Sequence, residues 1–299
     1  MDSSCSTIAI AELITRSAEG LSQAGVPEAR REAGSLLAYV LKTDRTYLIS
    51  HSDELVDSER VTLFRGLVQR RAAGEPLQYI TGVQDFFGLQ FKVTPDVLIP
   101  RPETELLVEV ALDLLSKVSF TSPLICDVGT GSGCIAISLL HSLPAARAVG
   151  VDISTAALEV AEENATRNHV RERISFVLSD CFKALHDEAS SFDMIVSNPP
   201  YVTTKSFSGL QREVRDYEPR VALSPGETGL EIISRLLIES PFHLKPSGQL
   251  LIEIGFDQGD AVRAMIDFNV WEMLDIHPDL QGIPRIVALQ RKASDLASD

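Results

Sequence analysis

The stretch Ser197-Asn198-Pro199-Pro200-Tyr201 closes an apolar run, Phe192 to Ser197, with an amide side chain, two residues that carry no N–H and an aromatic ring. Two successive prolines cannot continue a sheet ladder, so a strand must stop here and the groups at its end are held in place. A rigid end of this kind suits chemistry on a planar nitrogen, such as a carboxamide or the exocyclic amine of a base. The lone pair of such a nitrogen is delocalised and a poor nucleophile. The Asn198 side-chain oxygen and the Pro199 carbonyl can accept hydrogen bonds from its N–H groups, encourage pyramidal character and aim the lone pair at a methyl carbon. Tyr201 supplies a flat wall for a planar acceptor. No strong base is needed, because the proton becomes acidic only as the methyl group arrives.

A second group of residues says what carries the methyl. "CDVGTGSGCIAI" joins a strand to a helix through Gly129, Gly131 and Gly133, and glycines there let a ligand approach the backbone closely. The dinucleotide fingerprint needs its third glycine one residue later, where Cys134 stands, and a phosphate-binding loop needs a Gly-Lys-Ser/Thr that is absent. NAD and ATP are therefore weaker candidates. Asp152 ends "RAVGVD" in position to accept hydrogen bonds from ribose hydroxyls. Asp180 ends the next strand and can take the exocyclic amine of an adenine, with Phe182 beside the ring. A ligand with an adenosine, no phosphate and a positive sulfonium suits these acids: S-adenosylmethionine. Asp127 either contacts the methionine part or caps backbone groups of the loop.

Strands separated by helix-length segments must position these residues. From "PLICDVG" onward such runs alternate, which requires right-handed crossovers and a doubly wound, mostly parallel Rossmann-like α/β sheet. Asp127, Asp152, Asp180 and Asn198 then all fall at carboxyl ends of strands, where such sheets bind ligands. Upstream, from Ile8 to about Arg71, apolar residues recur at helical spacing, with breaks at Gly25-Val26-Pro27 and Thr43-Asp44. The expected division is a helical bundle over residues 1–85, a β-hairpin linker over 86–102 and the α/β domain over 103–299. Pro102-Glu103-Thr104-Glu105 opens a helix, with its proline in the first turn and its carboxylates at the positive end of the dipole. Arg101 and Glu103 can close over a ligand, but a local ion pair or cap is the favoured reading.

Composition narrows the partners. The chain has 299 residues, 44% hydrophobic and 23% charged, and a formal net charge of -15. Lys and Arg number 9 against 12 Asp and Glu over residues 1–85, and 18 against 30 over the rest. Neither part is basic, which disfavours a phosphate backbone as the partner, so no direct nucleic-acid binding is expected. The N-terminus lacks a basic start and an unbroken apolar stretch, no segment reaches spanning length, and the expectation is a cytoplasmic protein without a membrane partner. Cys5, Cys126, Cys134 and Cys181 form no CxxC pair and read as reduced thiols. His51, His141, His169, His186, His243 and His277 lack metal-ligand spacing, so no metal is expected. Ser132 and Cys134 have no base nearby in sequence to make them nucleophiles. "SHSDELVDSE" reads as a solvated loop and helix start.

Taken together, "DVGTGSG", "VGVD", "VSNPPY", the linker "VLIPRPETELLVE" and "DYEPRVAL" followed by "GETGLEII" resemble the release factor glutamine methyltransferase family, known as PrmC or HemK. The asparagine motif is shared with methyltransferases of DNA adenine and RNA guanine; the linker "IPRPETE" narrows the family. The resemblance implies methyl transfer from S-adenosylmethionine to the side-chain amide nitrogen of the glutamine in the Gly-Gly-Gln tripeptide of class 1 peptide chain release factors. It implies that Gly129, Thr130, Gly131, Ser132 and Gly133 hold the cofactor together with Asp152 and Asn198. It further implies that Asn198, Pro199, Pro200 and Tyr201 hold the glutamine, and that the helical domain recognises the factor. Cys181 departs from the bulkier apolar or aromatic residue common after the acid, so either Cys181 or Phe182 packs on the adenine. The runner-up activity is an amino-methyltransferase of nucleic acid, and a binding module without catalysis is the non-enzymatic alternative.

Overall fold

The run that ends at Asn198 is an inner strand of a mixed sheet in the computed structural model, which describes residues 7–117, 121–185 and 191–293. Cys5 and His186, read above as a reduced thiol and a non-ligating histidine, lie outside the described residues. The chain forms two units: one extends to Gly82 and takes in Gln211–Tyr217, and the other comprises Val83–Leu210 and the chain from Glu218 onward.

In the first unit, the helices Ile10–Gln23, Ala29–Leu41 and Ser58–Ala72 pack around Ile10, Leu13, Leu36, Leu37, Phe64 and Leu67. Asp44 and Asp57 start helices by accepting from the backbone N–H of Tyr47 (2.7 Å) and Arg60 (2.9 Å), as short carboxylates at N-caps do. The helical reading from Ile8 needs one correction. Ile8–Ala9 (β1) pairs antiparallel with Leu55–Val56 (β2), because Ile10 and Ala11 give their N–H groups to the Glu54 and Ser52 carbonyls. The "DELV" segment is therefore partly paired, and Val56 is buried. Arg71 is also buried, and Glu32, Glu213 and the Glu75 carbonyl satisfy its guanidinium.

The second unit begins with a hairpin, Val83–Phe86 (β3) against Leu89–Lys92 (β4), which starts earlier in the chain than residue 86. Its two-residue turn has φ 49° at Phe87 and 71° at Gly88, the left-handed pair that matches strand twist. Five strands follow: Leu124–Val128 (β5), Arg147–Asp152 (β6), Ile174–Leu178 (β7), Phe192–Ser197 (β8) and Leu244–Glu253 (β9). Trp271–Pro278 (β10) and Pro284–Arg291 (β11) complete a sheet of order β10-β11-β9-β8-β5-β6-β7. Neighbours are parallel from β9 through β7, and β11 is antiparallel to both β9 and β10. The expectation of a doubly wound, mostly parallel sheet is met.

Both faces of this sheet are covered, so its inner strands carry continuous apolar runs. Ile125, Met194, Val196 and Leu251 face one side with the helices Glu105–Ser116 and Cys134–Ser142; Cys126, Val128, Ile195 and Ile252 face the other with Glu231–Glu239. Asp193 interrupts β8, yet its carboxylate accepts from Leu124 N (2.8 Å) and Lys245 Nζ (2.8 Å). The chain runs from β5 outward to β7, then returns to β8 on the other side of β5. The carboxyl ends of β5 and β8 therefore flank the switch point, where a crevice opens.

Candidate active site

That crevice holds a cavity of about 270 Å³ lined by residues 129–132 of the glycine loop, by Asp152, Asp180 and Cys181, and by Asn198, Pro199 and Pro200. The turn before the helix Glu105–Ser116 contributes Arg101 and Thr104. Adjacent strands thus bring the glycine loop and the asparagine turn to one space. The two are tied directly: the Ser197 hydroxyl donates to the Val128 carbonyl at 2.7 Å.

The loop is held mostly by its own backbone and by two acids. Gly129 and Thr130 give their N–H groups to the Val151 carbonyl at 2.8 and 2.9 Å. Asp127 is fully buried and outside the cavity lining; its Oδ2 accepts from the Thr130 hydroxyl (2.8 Å) and from Ala136 N (3.3 Å). Of its two readings, capping is the one these contacts match. Burial pushes its carboxyl up to about 7. Gly133 is likewise outside the lining, and its left-handed φ of 80° is what favours glycine there, with Ala161 Cβ 3.3 Å from where a Cβ would stand.

Asp152 reaches the cavity with both oxygens partly committed. Oδ2 accepts from Gly131 N and Oδ1 from Ser154 N, each at 2.9 Å, and burial raises its pKa. Each carboxylate oxygen has a further lone pair, so a vicinal diol can still bind here. Asp180 differs. Arg235 Nη1 lies 2.5 Å from its Oδ1 and Lys183 Nζ 2.6 Å from its Oδ2, and these donors hold its carboxyl below the usual range. Its charge is already compensated. Cys181, with φ 49°, lines the cavity, whereas Phe182 does not: its ring is buried and stacked on His243 with centroids 4.7 Å apart. One residue of offset at the end of β7 puts the two side chains in different surroundings.

These residues fit S-adenosylmethionine. The lining carries Asp96, Asp152 and Asp180 against one guanidinium, Arg101, which is paired with the buried Glu218 at 2.5 Å. Among the described residues of the lining no uncompensated cation awaits a phosphate, while the Asp152 carboxylate suits a ribose and a nearby positive charge. The Arg101 pair also shows that this arginine is no local cap, since its partner lies across the unit.

Asn198 is half-buried, and its Nδ2 donates to the Thr104 hydroxyl at 3.0 Å, which leaves Oδ1 free of that contact. Tyr201 is outside the cavity lining; its phenol stands 3.4 Å from Oε1 of Glu253, and burial raises its pKa so that it stays protonated. Gln258 buckles the turn: Nε2 donates to the Tyr201 and Gly229 carbonyls (3.3 and 3.1 Å), and Oε1 accepts from Gly255 N (2.9 Å). Asn164 does the same for the glycine loop, joining Lys92 N and O to the Ser132 carbonyl at 2.6, 2.9 and 2.9 Å. Sequence reasoning missed Thr104, Asn164, Arg235, Glu253 and Gln258 as supports. The one available signal was a polar side chain inside an apolar run, as in "LLIEIG". No group of His, Cys, Asp and Glu among the described residues is arranged to hold a metal ion.

Known proteins share this organisation. Residues 12–82 match the PrmC N-terminal domain family, and residues 103–213 the methyltransferase small domain family. A release factor glutamine methyltransferase of Koribacter versatilis is 42% identical over 274 residues, 92% of this chain and 95% of that protein. One from Nitratidesulfovibrio vulgaris is 40% identical over 281 residues, 93% of this chain and 94% of its own length. Among solved structures, the hMettl16 catalytic domain in complex with MAT2A 3'UTR hairpin 6 aligns with a TM-score of 0.54 at 18% identity, over 78% of this chain and 84% of that one, a likeness of fold alone. With that identity spanning nearly the whole length of both relatives, the chain belongs to the release factor glutamine methyltransferase family.

Proposed function

We propose that the chain methylates the side-chain amide nitrogen of the glutamine in the Gly-Gly-Gln tripeptide of class 1 peptide chain release factors, with S-adenosylmethionine as donor. The relatives' names carry the substrate class, and one structural observation carries the assignment of the chemistry to this site: Asn198 and the glycine loop line one cavity at the switch point. When bound, S-adenosylmethionine supplies a methyl group on a positively charged sulfur.

The chain's own residues do the rest. The Asp152 carboxylate accepts from ribose hydroxyls, and the backbone of 129–132 allows close approach. Cys181 packs where the adenine lies, and Asp180 contributes shape and a partly shared acceptor. Asn198 Oδ1 and the Pro199 carbonyl accept from the two N–H bonds of the glutamine amide, so that its lone pair faces the cavity. Pro199 and Pro200 fix that geometry without a mobile backbone donor. Tyr201 acts by anchoring the turn and flanking the planar amide. The released proton passes to solvent. We assign recognition of the folded factor to the helical unit, and the cytoplasm as the place of action. No helix among the described residues is long and apolar enough to cross a membrane.

The test is incorporation of label from methyl-labelled S-adenosylmethionine into purified release factor, with RNA and DNA in parallel. Label should enter the factor and disappear when the target glutamine is replaced. Labelled nucleic acid beside an unlabelled factor would overturn the proposal.

A further inference from the structure

The asparagine turn ends β8, whose two neighbours in the sheet are β5 and β9. The cavity takes its lining from the ends of β5, β6, β7 and β8, from the linker and from the chain between Val221 and Ile232; among the described residues, none of it comes from β9, β10 or β11. The β9 side of Asn198 therefore lies outside the space assigned to the cofactor. A second turn, closed on itself, stands there. Gln258 N donates to the Gly255 carbonyl at 3.1 Å and Gly255 N donates to Gln258 Oε1 at 2.9 Å, which leaves Phe256 and Asp257 at the tip. The Gln258 side chain also donates to the Tyr201 carbonyl at 3.3 Å, and a Cβ on Gly255 would stand 3.4 Å from Tyr201 Cδ2. The Phe256 turn and the Asn-Pro-Pro-Tyr turn are thus tied into one rim.

Phe256 is 70% exposed on that rim. Leu280, in the turn between β10 and β11, is fully exposed at the same end of the sheet, since β11 runs antiparallel to β9 with Ile286 opposite Glu253. Arg285 links the two turns: it donates to the Ile254 carbonyl at 3.4 Å and pairs with Asp279 at 3.0 Å. A lone apolar side chain on a surface means nothing by itself. An aromatic ring on a turn fixed from both sides, next to the residue that meets the acceptor, can instead bury a large area at little cost in side-chain entropy. We propose that Phe256 is a docking anchor for the release factor and packs on the two glycines that precede the target glutamine, with Leu280 as a lesser contact on the same rim. This rests on the function given above, which supplies the Gly-Gly-Gln tripeptide. Glycines leave their peptide planes bare, so a ring can lie flat against them. The glutamine then reaches Asn198 while its backbone stays on the β9 side, and the ring takes no part in holding the cofactor.

The experiment compares Phe256→Ala, Phe256→Tyr and Leu280→Ser in the full chain, with purified release factor and methyl-labelled S-adenosylmethionine. Phe256→Ala should lower kcat/KM for the factor by about ten- to a hundredfold, mostly through KM, while calorimetric affinity for S-adenosylmethionine stays within about twofold of wild type. Phe256→Tyr keeps the ring and should stay within about threefold of wild type, and Leu280→Ser should lose about three- to tenfold. Wild-type kcat/KM in Phe256→Ala, equal losses in the alanine and tyrosine variants, or a loss of cofactor affinity as large as the loss of kcat/KM would overturn the proposal. So would a dimer in sedimentation that Phe256→Ala dissolves at full activity, because the rim would then meet a second copy of this chain. Should Phe256→Ala fail to melt cooperatively, Phe256→Gln takes its place under the same limits. Failure of the underlying reading shows elsewhere, as an unlabelled factor with the wild-type enzyme or normal turnover in Asn198→Ala.

Discussion

Glu253→Gln tests, in a measurement independent of activity, whether the fold raises the pKa of the buried Glu253 carboxyl at the end of β9. The side chain is 1% exposed, and burial lifts its pKa from 4.5 to about 7. Thr104, Arg285 and Tyr201 oppose that rise, and Glu103 adds to it. In the unfolded chain the carboxyl ionises near its ordinary value, so as pH rises from about 4.5 to about 7 the unfolded state loses a proton that the folded state keeps. The stability supplied by the neutral group is complete below that interval and lost by its upper end. At about 1.4 kcal/mol per pH unit, the loss amounts to about 3 kcal/mol. Glutamine does not ionise. The stability of Glu253→Gln relative to wild type should therefore grow by about 3 kcal/mol across the interval and stay level on either side. Asp127 titrates in the same range in both proteins and cancels in the difference. Urea unfolding at closely spaced pH values reads this directly, and two stability profiles that run parallel from pH 4 to pH 8.5 would refute the reasoning.

Asn198→Ala should cost about a hundredfold or more in turnover on release factor while the protein still binds the cofactor in calorimetry, since it removes one preorganised acceptor. Asp152→Asn should weaken S-adenosylmethionine by about 1–3 kcal/mol, the worth of hydrogen bonds to a charged group, and unchanged calorimetric affinity in a folded variant would remove Asp152 from the ribose site. Gly133→Ala should lower stability by about 1–2 kcal/mol, because φ at 80° strains a residue that carries a Cβ; a melting curve equal to wild type would show that the loop backbone relaxes freely.

The parts of the site that could be read in the sequence are those whose logic is local. Three glycines within five residues, an acid at the end of the next strand and two prolines after a core strand each constrain their own backbone. Supports set by contact between distant segments left little trace. Asn198 meets Thr104 across 94 residues, and Asp180 meets Arg235 across 55. The resemblance included the linker that holds Thr104, but nothing in its spacing said which end of the Asn198 amide it would take. The pairing of Ile8–Ala9 with Leu55–Val56 escaped for a related reason: two-residue strands have too few positions to establish a period.

Asp152 and Asp180 show why an acid at a strand's end is an incomplete argument for a ligand contact. Both end neighbouring parallel strands, and by sequence each is an equal candidate for part of an adenosine. The fold separates them through their donors. Among the described residues Asp152 receives backbone N–H groups, including those of Gly131 and Ser154, which orient the carboxylate without setting a cation against it. Asp180 receives two cations, and its charge is largely spent on Arg235 and Lys183 before any ligand arrives. A ligand with a positive centre and a ribose therefore gains from Asp152 what Asp180 no longer offers. The second acid is left to shape the rim beside Cys181.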